Sequence, residues 1–336
     1  MSSGAAACWV DAVVVAVSDV ATGVRRIELA GPPAGRAAPG SHVDVRVHTP
    51  AGEDVRSYSV VESGGADGRV VVSVLHTRTS RGGSRFMHAL RPGDGVRVTQ
   101  PLQNFPLSVG SARHVLLAGG IGITALVEAA RVLRSLGADY RFVYVGRTRD
   151  RMAYLAELEA LHGDRMRVHV DDEGSSLDVD ALVGDIADED LGRRTELSMC
   201  GPIRLMEAVR RSWSDRELPS YNLRFETFGS SGWFEAEDFV VRVPELGIET
   251  RVGADSTLLD ALITAGADVM FDCRKGECGL CVLAVTEVQG TIDHRDVFLS
   301  TAQRERGDRI CACVSRVAGV GGEGGPGPRP ALTGRH

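Results

Sequence analysis

The chain has 336 residues, 43% of them hydrophobic and 25% charged, which is the composition of an ordinary globular protein of two or three domains. Its formal net charge of −7 argues against nucleic acid and a membrane surface as partners, and no apolar run is long enough to span a bilayer. Residues 1–4 lack the features of a secretory signal and the seven cysteines fit a reducing compartment, so a cytoplasmic location is expected.

Residues 8–107 are predicted to form a closed antiparallel β-barrel. Runs rich in valine at residues 13–17, 43–47 and 70–75 have the β-branched composition of strands, and the second run alternates cleanly between apolar and polar residues. Clusters of proline, glycine and aspartate separate the runs, as turns do. Short strands with regular turns favour a barrel.

Two stretches within the barrel region have the chemistry of an anion site. The sequence R-S-Y-S at residues 56–59 lies on a predicted strand, and its arginine suits a phosphate because the guanidinium fork donates two charge-assisted hydrogen bonds. The sequence R-G-G-S at residues 81–84 precedes a predicted helix at 85–90, where exposed backbone N–H groups suit a phosphate. Taken alone, the first is also compatible with an exposed strand arginine and the second with a bare turn.

From residue 108 to 228, short buried strands alternate with helices, which predicts a parallel sheet with crossover helices. The expected strands lie at residues 114–118, 140–145, 166–170, 196–199 and 222–227, and the expected helices at 125–136, 152–161 and 203–213.

A glycine turn and an acidic loop in this region point to a nucleotide, and a C-G-P sequence takes its meaning from the family resemblance given below. The sequence G-G-I-G-I-T at 119–124 occupies a strand-to-helix turn, the usual place for a pyrophosphate. C-G-P at 200–202 follows a later strand, although a buried cysteine before a helix with proline near its first turn would look the same. Asp171 and Asp172 follow the third strand, where a carboxylate accepts hydrogen bonds from ribose hydroxyls and repels a 2′-phosphate. Solvated loop acids are the alternative.

A linker at residues 229–237 leads to a third domain at 238–318, and the Gly/Pro-rich residues 319–336 are predicted to be disordered. The third domain contains a predicted helix at 257–263. A C-x4-C-x2-C sequence follows this helix, with further cysteines about thirty residues later, which is the plant-type spacing for a [2Fe–2S] cluster. Zinc usually takes paired C-x2-4-C ligands, and zinc or reduced structural cysteines remain the alternatives.

These motifs, in this order, resemble the phthalate dioxygenase reductase-like family, which includes vanillate demethylase reductases. The resemblance implies an antiparallel Greek-key β-barrel that binds FMN, an α/β parallel-sheet domain of the ferredoxin-reductase type that binds NADH, and a β-grasp [2Fe–2S] ferredoxin domain. Two positions depart from the family: Ala125 replaces its proline, and the Gly/Pro-rich tail replaces its last apolar strand.

The resemblance also implies roles for individual residues. Tyr58 lies against the flavin, Ser59 contacts the N5 region of the ring, and Arg56 pairs with the phosphate. Cys200 approaches the nicotinamide C4, and Phe228 covers the flavin where nicotinamide must stack. The implied catalytic residues are therefore Ser59, Cys200 and Phe228. The implied cofactor-binding residues are Arg56, Ser57, Tyr58, Ser59, Val74, Leu75, Gly82, Gly83, Ser84, Gly119, Gly120, Gly122, Ile123, Thr124, Asp171, Cys200, Gly201, Pro202 and Phe228.

The cluster ligands implied by the resemblance are Cys273, Cys278, Cys281 and Cys313. The spacing from Cys281 would suit Cys311 as the fourth ligand, whereas the family places its ligand in a C-V-S-R sequence, which here begins at Cys313.

The implied function is an NADH-dependent reductase component that passes electrons from NADH to FMN, to the [2Fe–2S] cluster and to a Rieske-type terminal oxygenase. Such a chain is expected to be a monomer when free. A stand-alone NADH-dependent flavin or quinone reductase is an alternative. A redox-sensing iron–sulfur protein is another, but it would not need the glycine turn and the C-G-P sequence of a nicotinamide site.

Overall fold

A computed structural model of the chain describes residues 8–31, 37–50, 52–64, 68–77, 82–108, 110–188, 192–228, 232–319 and 331–335. The chain divides into two compact units. The first covers the described residues up to Gly201 together with Ala208–Glu226, and the second covers Pro202–Glu207 together with the described residues from Thr227 onward. Among the helices of these described residues, none has the length and apolar character that crossing a bilayer requires.

The first unit begins with an antiparallel barrel of short, valine-rich strands. Its elements are β1 (Trp9–Ala21), β2 (Val24–Ala30), β3 (Ser41–Thr49), β4 (Gly52–Gly64), β5 (Arg69–Leu75), α1 (Gly83–Ala89), β6 (Gly95–Thr99) and β7 (Leu102–Gln103). Strand β1 pairs with β2, β2 with β5, β5 with β4, β4 with β3, β3 with β6, and β6 with β1, so the sheet closes on itself. Because β2 pairs with β5 rather than with β3, the order is of the Greek-key type, and the predicted barrel is confirmed.

Alternation along the strands builds the core of this barrel. Val43, Val45 and Val47 on β3 are buried, while Asp44 and Arg46 between them are not, because successive side chains point to opposite faces of a strand. Each buried valine contributes about 1.5–3 kcal/mol relative to an exposed one. The core therefore follows from the alternating sequence of β3 and of the strands like it.

The rest of the first unit is a parallel sheet with crossover helices, as predicted. Its elements are β8 (Arg113–Gly119), α2 (Ile123–Ser135), β9 (Tyr140–Gly146), α3 (Leu155–His162), β10 (Met166–Val170), α4 (Val179–Asp188), β11 (Thr195–Cys200), α5 (Ile203–Asp215, of which residues 203–207 belong to the second unit) and β12 (Leu223–Glu226). The strand order is β10-β9-β8-β11-β12, and all four pairings are parallel. The order reverses between β8 and β11, and open α/β sheets bind ligands at such a reversal, outside the carboxyl ends of the strands.

Two local features of this region differ from the expectation. Helix α3 begins later than predicted, because Tyr154 has a positive φ of 63° and cannot belong to a right-handed helix. Helix α4 was not predicted at all. It buries only Val183 and Ile186, so its apolar stripe is too sparse to mark a helix by its spacing.

The second unit contains a mixed sheet crossed by a short helix. Its elements are β13 (Phe239–Val243), β14 (Ile248–Val252), α6 (Leu258–Thr264), β15 (Val282–Gln289), β16 (Thr291–Asp293), α7 (Thr301–Arg306), β17 (Arg309–Cys311), β18 (Arg316–Ala318) and β19 (Ala331–Arg335). The main sheet has the order β14-β13-β19-β15-β17, and β16 pairs with β18 beside it. Leu258, Leu259 and Leu262 of α6 are buried in the core of this unit, which is the predicted β-grasp arrangement.

The prediction of a disordered tail is wrong for residues 331–335. These residues form β19, which pairs in parallel with β13 and antiparallel with β15, in the middle of the sheet. Without β19, the facing edges of β13 and β15 would have no strand between them, and unpaired backbone groups are costly. The sequence concealed this strand because it is short, contains Gly334 and follows a Gly/Pro-rich run. Residues 320–330 of the predicted tail lie outside the described residues.

Candidate cofactor sites

The barrel brings Arg56 and the glycine turn before α1 together. Arg56 on β4 is only 20% exposed, and its Nη1 lies 2.6 Å from Asp54 Oδ2. Its Nη2 is buried and has no hydrogen-bond partner among the described residues. A Cβ atom on Gly83 would lie 2.8 Å from Arg56 Cγ, so only glycine leaves space there. Arg81, the first residue of the R-G-G-S sequence, lies outside the described residues.

The turn itself has the geometry that an anion needs. Gly82 has a φ of +100°, which favours glycine, and it precedes the first residue of α1. The Ser84 hydroxyl lies 3.3 Å from the backbone nitrogen of Thr77, whose N–H donates to it, and so joins the turn to the end of β5. A guanidinium with an unused N–H beside a glycine turn fits the terminal phosphate of FMN.

The R-S-Y-S residues divide between the two faces of β4. Ser57 and Ser59 share one face, and the Ser57 hydroxyl donates to Asp44 Oδ1 at 2.5 Å. The Ser59 hydroxyl is buried without a hydrogen-bond partner among the described residues, so a bound ring could supply one. Burial raises the pKa of Tyr58, on the other face, above the ordinary value of a phenol, while Arg56 opposes the shift. Tyr58 therefore stays protonated at neutral pH.

Val74 and Leu75 at the end of β5 differ in what they can offer to a cofactor. The Val74 side chain lies in the barrel core, and the Val74 carbonyl accepts a hydrogen bond from His88 Nε2 at 2.8 Å. Leu75 is half-buried. A contact with a flavin at this position therefore falls to Leu75 rather than to the Val74 side chain.

The two glycine turns of the parallel sheet contact each other where the strand order reverses. A Cβ on Gly122 would lie 2.8 Å from the Gly201 nitrogen and closer still to the carbonyl of Cys200. A Cβ on Gly201 would lie 3.0 Å from the Gly119 Cα. The turns after β8 and β11 therefore approach with no room for side chains. This close backbone approach fits a nucleotide that lies across the two turns.

The remaining residues of the first turn set its shape. Gly120 has a φ of +54° and open space around its Cα, whereas Ile123 and Thr124 are buried. The Thr124 hydroxyl donates to the Ile121 carbonyl at 3.0 Å, which fixes the start of α2. The N-terminus of this helix presents backbone N–H groups to an anion, as a pyrophosphate requires.

The residues implied to contact nicotinamide and ribose lie at or just after the carboxyl ends of strands β10, β11 and β12. Cys200 at the end of β11 is fully buried and pairs in register with Glu226 on β12. Phe228, two residues after that glutamate, is half-buried. Pro202 directly precedes α5. Asp171 follows β10 and is exposed, and its carboxylate accepts a hydrogen bond from the Ser176 hydroxyl at 2.8 Å.

The cysteine sulfurs of the second unit fall into two contacting groups. Cys273 and Cys278 contact each other, and Cys281 contacts Cys311 and Cys313. The thiols of Cys311 and Cys313 lower the pKa of Cys281 to about 3 by hydrogen bonding. A [2Fe–2S] cluster has two irons that share four thiolate ligands, and sulfurs in two neighbouring groups fit that ligand set.

Glycines allow the cysteine loop to fold tightly around these sulfurs. Gly276 and Gly279 both have a φ of +76°. A Cβ on Gly276 would lie 2.8 Å from the Asp296 Cα, and one on Gly279 would lie 2.5 Å from Phe298 Cε1. The backbone N–H of Lys275 donates to Cys273 Sγ at 3.4 Å. The loop thus turns N–H groups toward a sulfur, which fits the cluster.

One segment of functional interest that has no role in the expectations from sequence is D-H-R-D at residues 293–296. Asp296 is fully buried and accepts hydrogen bonds from the Leu299 N–H at 2.8 Å and from the Ser315 hydroxyl at 3.0 Å. Arg304 pairs with the same carboxylate at 3.6 Å, which helps hold the pKa of Asp296 low against its burial. This network supports the loop behind Gly276, and only the position of D-H-R-D after the cysteines could have indicated it.

Comparisons with known proteins identify the family of this chain. Residues 241–318 match the family model described as a 2Fe-2S iron-sulfur cluster binding domain. The vanillate O-demethylase oxidoreductase of Pseudomonas sp. (strain HR199 / DSM 7063) is 35% identical over 284 residues, which are 83% of this chain and 86% of that protein. The tetrachlorobenzoquinone reductase of Sphingobium chlorophenolicum is 36% identical over 283 residues, 82% of this chain and 84% of that protein.

A solved structure of phthalate dioxygenase reductase, described as a modular structure for electron transfer from pyridine nucleotides to [2Fe-2S], matches with a TM-score of 0.68 at 28% identity and covers 98% of both chains. The barrel, the parallel sheet and the cluster domain therefore occur together in a known reductase. The chain belongs to the phthalate dioxygenase reductase and vanillate O-demethylase oxidoreductase family, and it is an iron–sulfur flavoprotein oxidoreductase whose cofactors are FMN, NADH and a [2Fe–2S] cluster.

Proposed function

We propose that this oxidoreductase is the reductase component of a Rieske-type mono- or dioxygenase or demethylase system. The observation that carries the proposal is the presence, in one chain, of an arginine–glycine phosphate cradle, a nucleotide turn where the strand order reverses, and a cysteine loop for a cluster. When bound, the flavin accepts two electrons as hydride from NADH and the cluster passes electrons on singly. The terminal oxygenase is the acceptor, and the free reductase is a monomer in the cytoplasm.

The residues of the barrel hold and orient the flavin. Arg56 holds the phosphate together with Gly82, Gly83 and Ser84, because its buried Nη2 has an N–H to donate. Tyr58 lies against the ring and Leu75 flanks it, while Ser57 contributes backbone groups, because its side chain lies on the opposite face of β4 and donates to Asp44. Ser59 donates its hydroxyl to the N5 region, which is supported by the absence of any other partner for that hydroxyl among the described residues.

The residues of the parallel sheet bind and orient NADH. The Gly119–Thr124 turn and Gly201 bind the pyrophosphate. The backbones of the two turns have no side chains where they approach most closely, so their N–H groups are accessible to it. Cys200 orients the nicotinamide, and Phe228 excludes water from the ring face until nicotinamide replaces it. Pro202 keeps this turn in place at the start of α5. We also propose that the three domains have the boundaries 8–107, 108–228 and 238–318.

Cys273, Cys278, Cys281 and Cys313 are proposed to hold the cluster. Two contacts support Cys313 over Cys311. The Cys313 thiol interacts with both Cys281 and Cys273 and accepts the Gly276 N–H, so it belongs to the same pocket as the loop sulfurs. Cys311 instead lies beside the buried carboxylate of Asp296, which repels an anionic cluster.

A second candidate function keeps the enzyme and changes its acceptor. The relative named tetrachlorobenzoquinone reductase is about as similar to this chain as the vanillate O-demethylase oxidoreductase is, so a stand-alone quinone reductase has comparable support. A purified Rieske-type oxygenase and a soluble quinone, offered in parallel to the NADH-reduced protein, separate the two functions. A higher turnover rate with the oxygenase than with the quinone supports the proposal. A rate with the quinone that is equal to or above the rate with every oxygenase tested contradicts it.

The Arg56→Ala change is expected to weaken FMN binding about 10- to 100-fold, because a hydrogen bond to a charged group contributes about 1.5–3 kcal/mol. The carboxylate of Asp54, which lies 2.6 Å from Arg56, would also lose its counter-charge and repel the phosphate. Fluorescence titration of the flavin-free protein with FMN measures the change. Arg97→Ala is the control, since Arg97 is an exposed barrel-strand arginine paired with Asp11. Equal FMN affinity in the Arg56 and Arg97 variants would contradict the assigned role.

NADH is expected to be preferred over NADPH, because the exposed carboxylate of Asp171 repels a 2′-phosphate. The Asp171→Ser change should raise kcat/KM with NADPH about five- to tenfold, since a repulsion of about 1 kcal/mol is removed at a solvated site. Steady-state turnover with each nucleotide measures it, with Asp172→Ser as the control. A wild-type kcat/KM with NADPH equal to or above that with NADH would overturn the assignment.

A further inference from the structure

Thr227, the residue before Phe228, is bound to the cysteine loop by three short contacts. Its backbone N–H donates to Glu277 Oε1 at 2.7 Å. Its hydroxyl lies 2.6 Å from the Lys275 carbonyl and 3.0 Å from Glu277 Oε1, so its one proton can go to either acceptor. Thr227 is 4% exposed, so water does not compete strongly for these groups. The loop is thus held at two of its residues from outside.

The same two loop residues donate to a sulfur on their other side. The Lys275 N–H points at Cys273 Sγ from 3.4 Å. Burial raises the pKa of the Cys273 thiol, and the N–H groups of Lys275, Glu277 and Cys278 oppose that shift. Thr227 therefore holds, through the Lys275 carbonyl and the Glu277 side chain, two residues whose backbone N–H groups face Cys273.

We propose that Thr227 is a positioning residue for the cluster, which fixes Lys275 and Glu277 so that their N–H groups donate to Cys273 and raise the reduction potential of the cluster. The inference deepens the proposed function and rests on its assignment of Cys273 as a ligand. Reduction adds one negative charge to the cluster, and N–H donors stabilise the thiolates most when that charge is present. A loop that has lost Thr227 presents these donors less well, and the reduced cluster becomes less stable.

If Thr227 only packed against the loop, any side chain of the same shape at residue 227 would serve. A positioning role instead needs the hydroxyl, because the hydroxyl is the group that reaches the Lys275 carbonyl.

The test compares Thr227→Val with Thr227→Ser in the full-length holoprotein. Valine keeps the shape and the backbone N–H of threonine but removes the hydroxyl, whereas serine keeps the hydroxyl. An EPR-monitored redox titration measures the midpoint potential of the cluster. In Thr227→Val, the equilibrium constant for reducing the cluster should fall about three- to tenfold, a shift of about −30 to −60 mV at 59 mV per tenfold. In Thr227→Ser, it should match the wild type.

A second pair of variants covers the case in which Thr227→Val does not retain its cluster. Glu277→Gln and Glu277→Ala both remove the carboxylate charge, but only alanine removes the acceptor for the Thr227 N–H. The difference between their midpoints therefore reports the hydrogen bond alone, and the Glu277→Ala midpoint should be the lower. Equal midpoints in this pair, or a wild-type midpoint in Thr227→Val, overturn the inference.

The outcomes also separate this inference from the proposed function. A wild-type protein that shows a [2Fe–2S] EPR signal, with no shift in Thr227→Val, overturns the positioning role and leaves the reductase intact. A wild-type protein without that signal overturns the cluster assignment, and the positioning role with it. Ferricyanide turnover with NADH, which does not need the cluster, should be equal in all variants and confirms that the flavin and NADH sites are folded.

Discussion

Cys313→Ser is expected to divide the activity of this reductase. Turnover from NADH to ferricyanide should remain nearly intact, because ferricyanide takes electrons from the flavin directly. Reduction of cytochrome c, or turnover coupled to the oxygenase, should fall more than about a hundredfold, since the loss of a ligand exceeds the 10- to 100-fold effect of changing its outer-shell partners. The visible spectrum and EPR signal of the cluster should be lost in parallel.

The matched control for this result is Cys311→Ser. Cys311 and Cys313 are both buried beside Cys281, so the two changes remove the same thiol group from nearly the same place. Cys313 also interacts with Cys273, whereas the buried carboxylate of Asp296 acts on Cys311. Cys311→Ser should therefore keep the cluster and both activities. If Cys311→Ser bleaches the cluster while Cys313→Ser keeps it, the ligand assignment is reversed.

Gly122→Ala is expected to disrupt the NADH site. The backbone of Gly122 is ordinary, with a φ of −58°, so the conformation itself tolerates alanine. The added Cβ, however, would lie 2.8 Å from the Gly201 nitrogen and closer to the Cys200 carbonyl, and backbone atoms cannot rotate away. The two turns must separate. Overpacking of this kind costs about 1–3 kcal/mol, and a displaced turn should raise the KM for NADH at least about tenfold.

Gly137→Ala separates binding from stability in this experiment. Gly137 lies beyond the other end of α2 with a φ of +63° and open space around it, so alanine there adds only backbone strain of about 1 kcal/mol. Thermal unfolding and NADH kinetics should show a lowered Tm in both variants and a raised KM only in Gly122→Ala. Wild-type KM and Tm in Gly122→Ala would show that the two turns are not in contact.

The elements that could be predicted from sequence are those whose signals are local. Strand β10 is bounded as expected, because its apolar run ends at an acidic loop. Helix α6 follows Thr257, whose hydroxyl accepts the Asp260 N–H at 3.0 Å, and such a cap is visible in the sequence itself. The location of both nucleotide turns could be predicted from their glycines as well. Why the turns require glycine could not be predicted, because the cause is the close approach of the ends of β8 and β11, which are distant in the chain.

What could not be predicted depends on pairs that are brought together by folding. Arg56 and Gly83 are each ambiguous alone, and they indicate a phosphate only because the barrel sets one against the other. Thr227 and Glu277 are 50 residues apart, and neither has a sequence signal for the contact. The prediction for β19 was wrong for a related reason. The β-propensity of its sequence is weak, and the strand forms because β13 and β15 pair with it on both sides. Tertiary context of this kind overrides propensity.

The position of β19 bears on how the protein is made. The β13–β14 hairpin, β15 and all the proposed ligand cysteines precede the strand that joins them, and a stretch of glycines and prolines comes between. Of the five strands in this sheet, the central one is made last, so the five cannot all be paired until the chain has been synthesised as far as Arg335. Domains generally fold as units. The second unit therefore completes its main sheet only after its helices and its cysteines have been made.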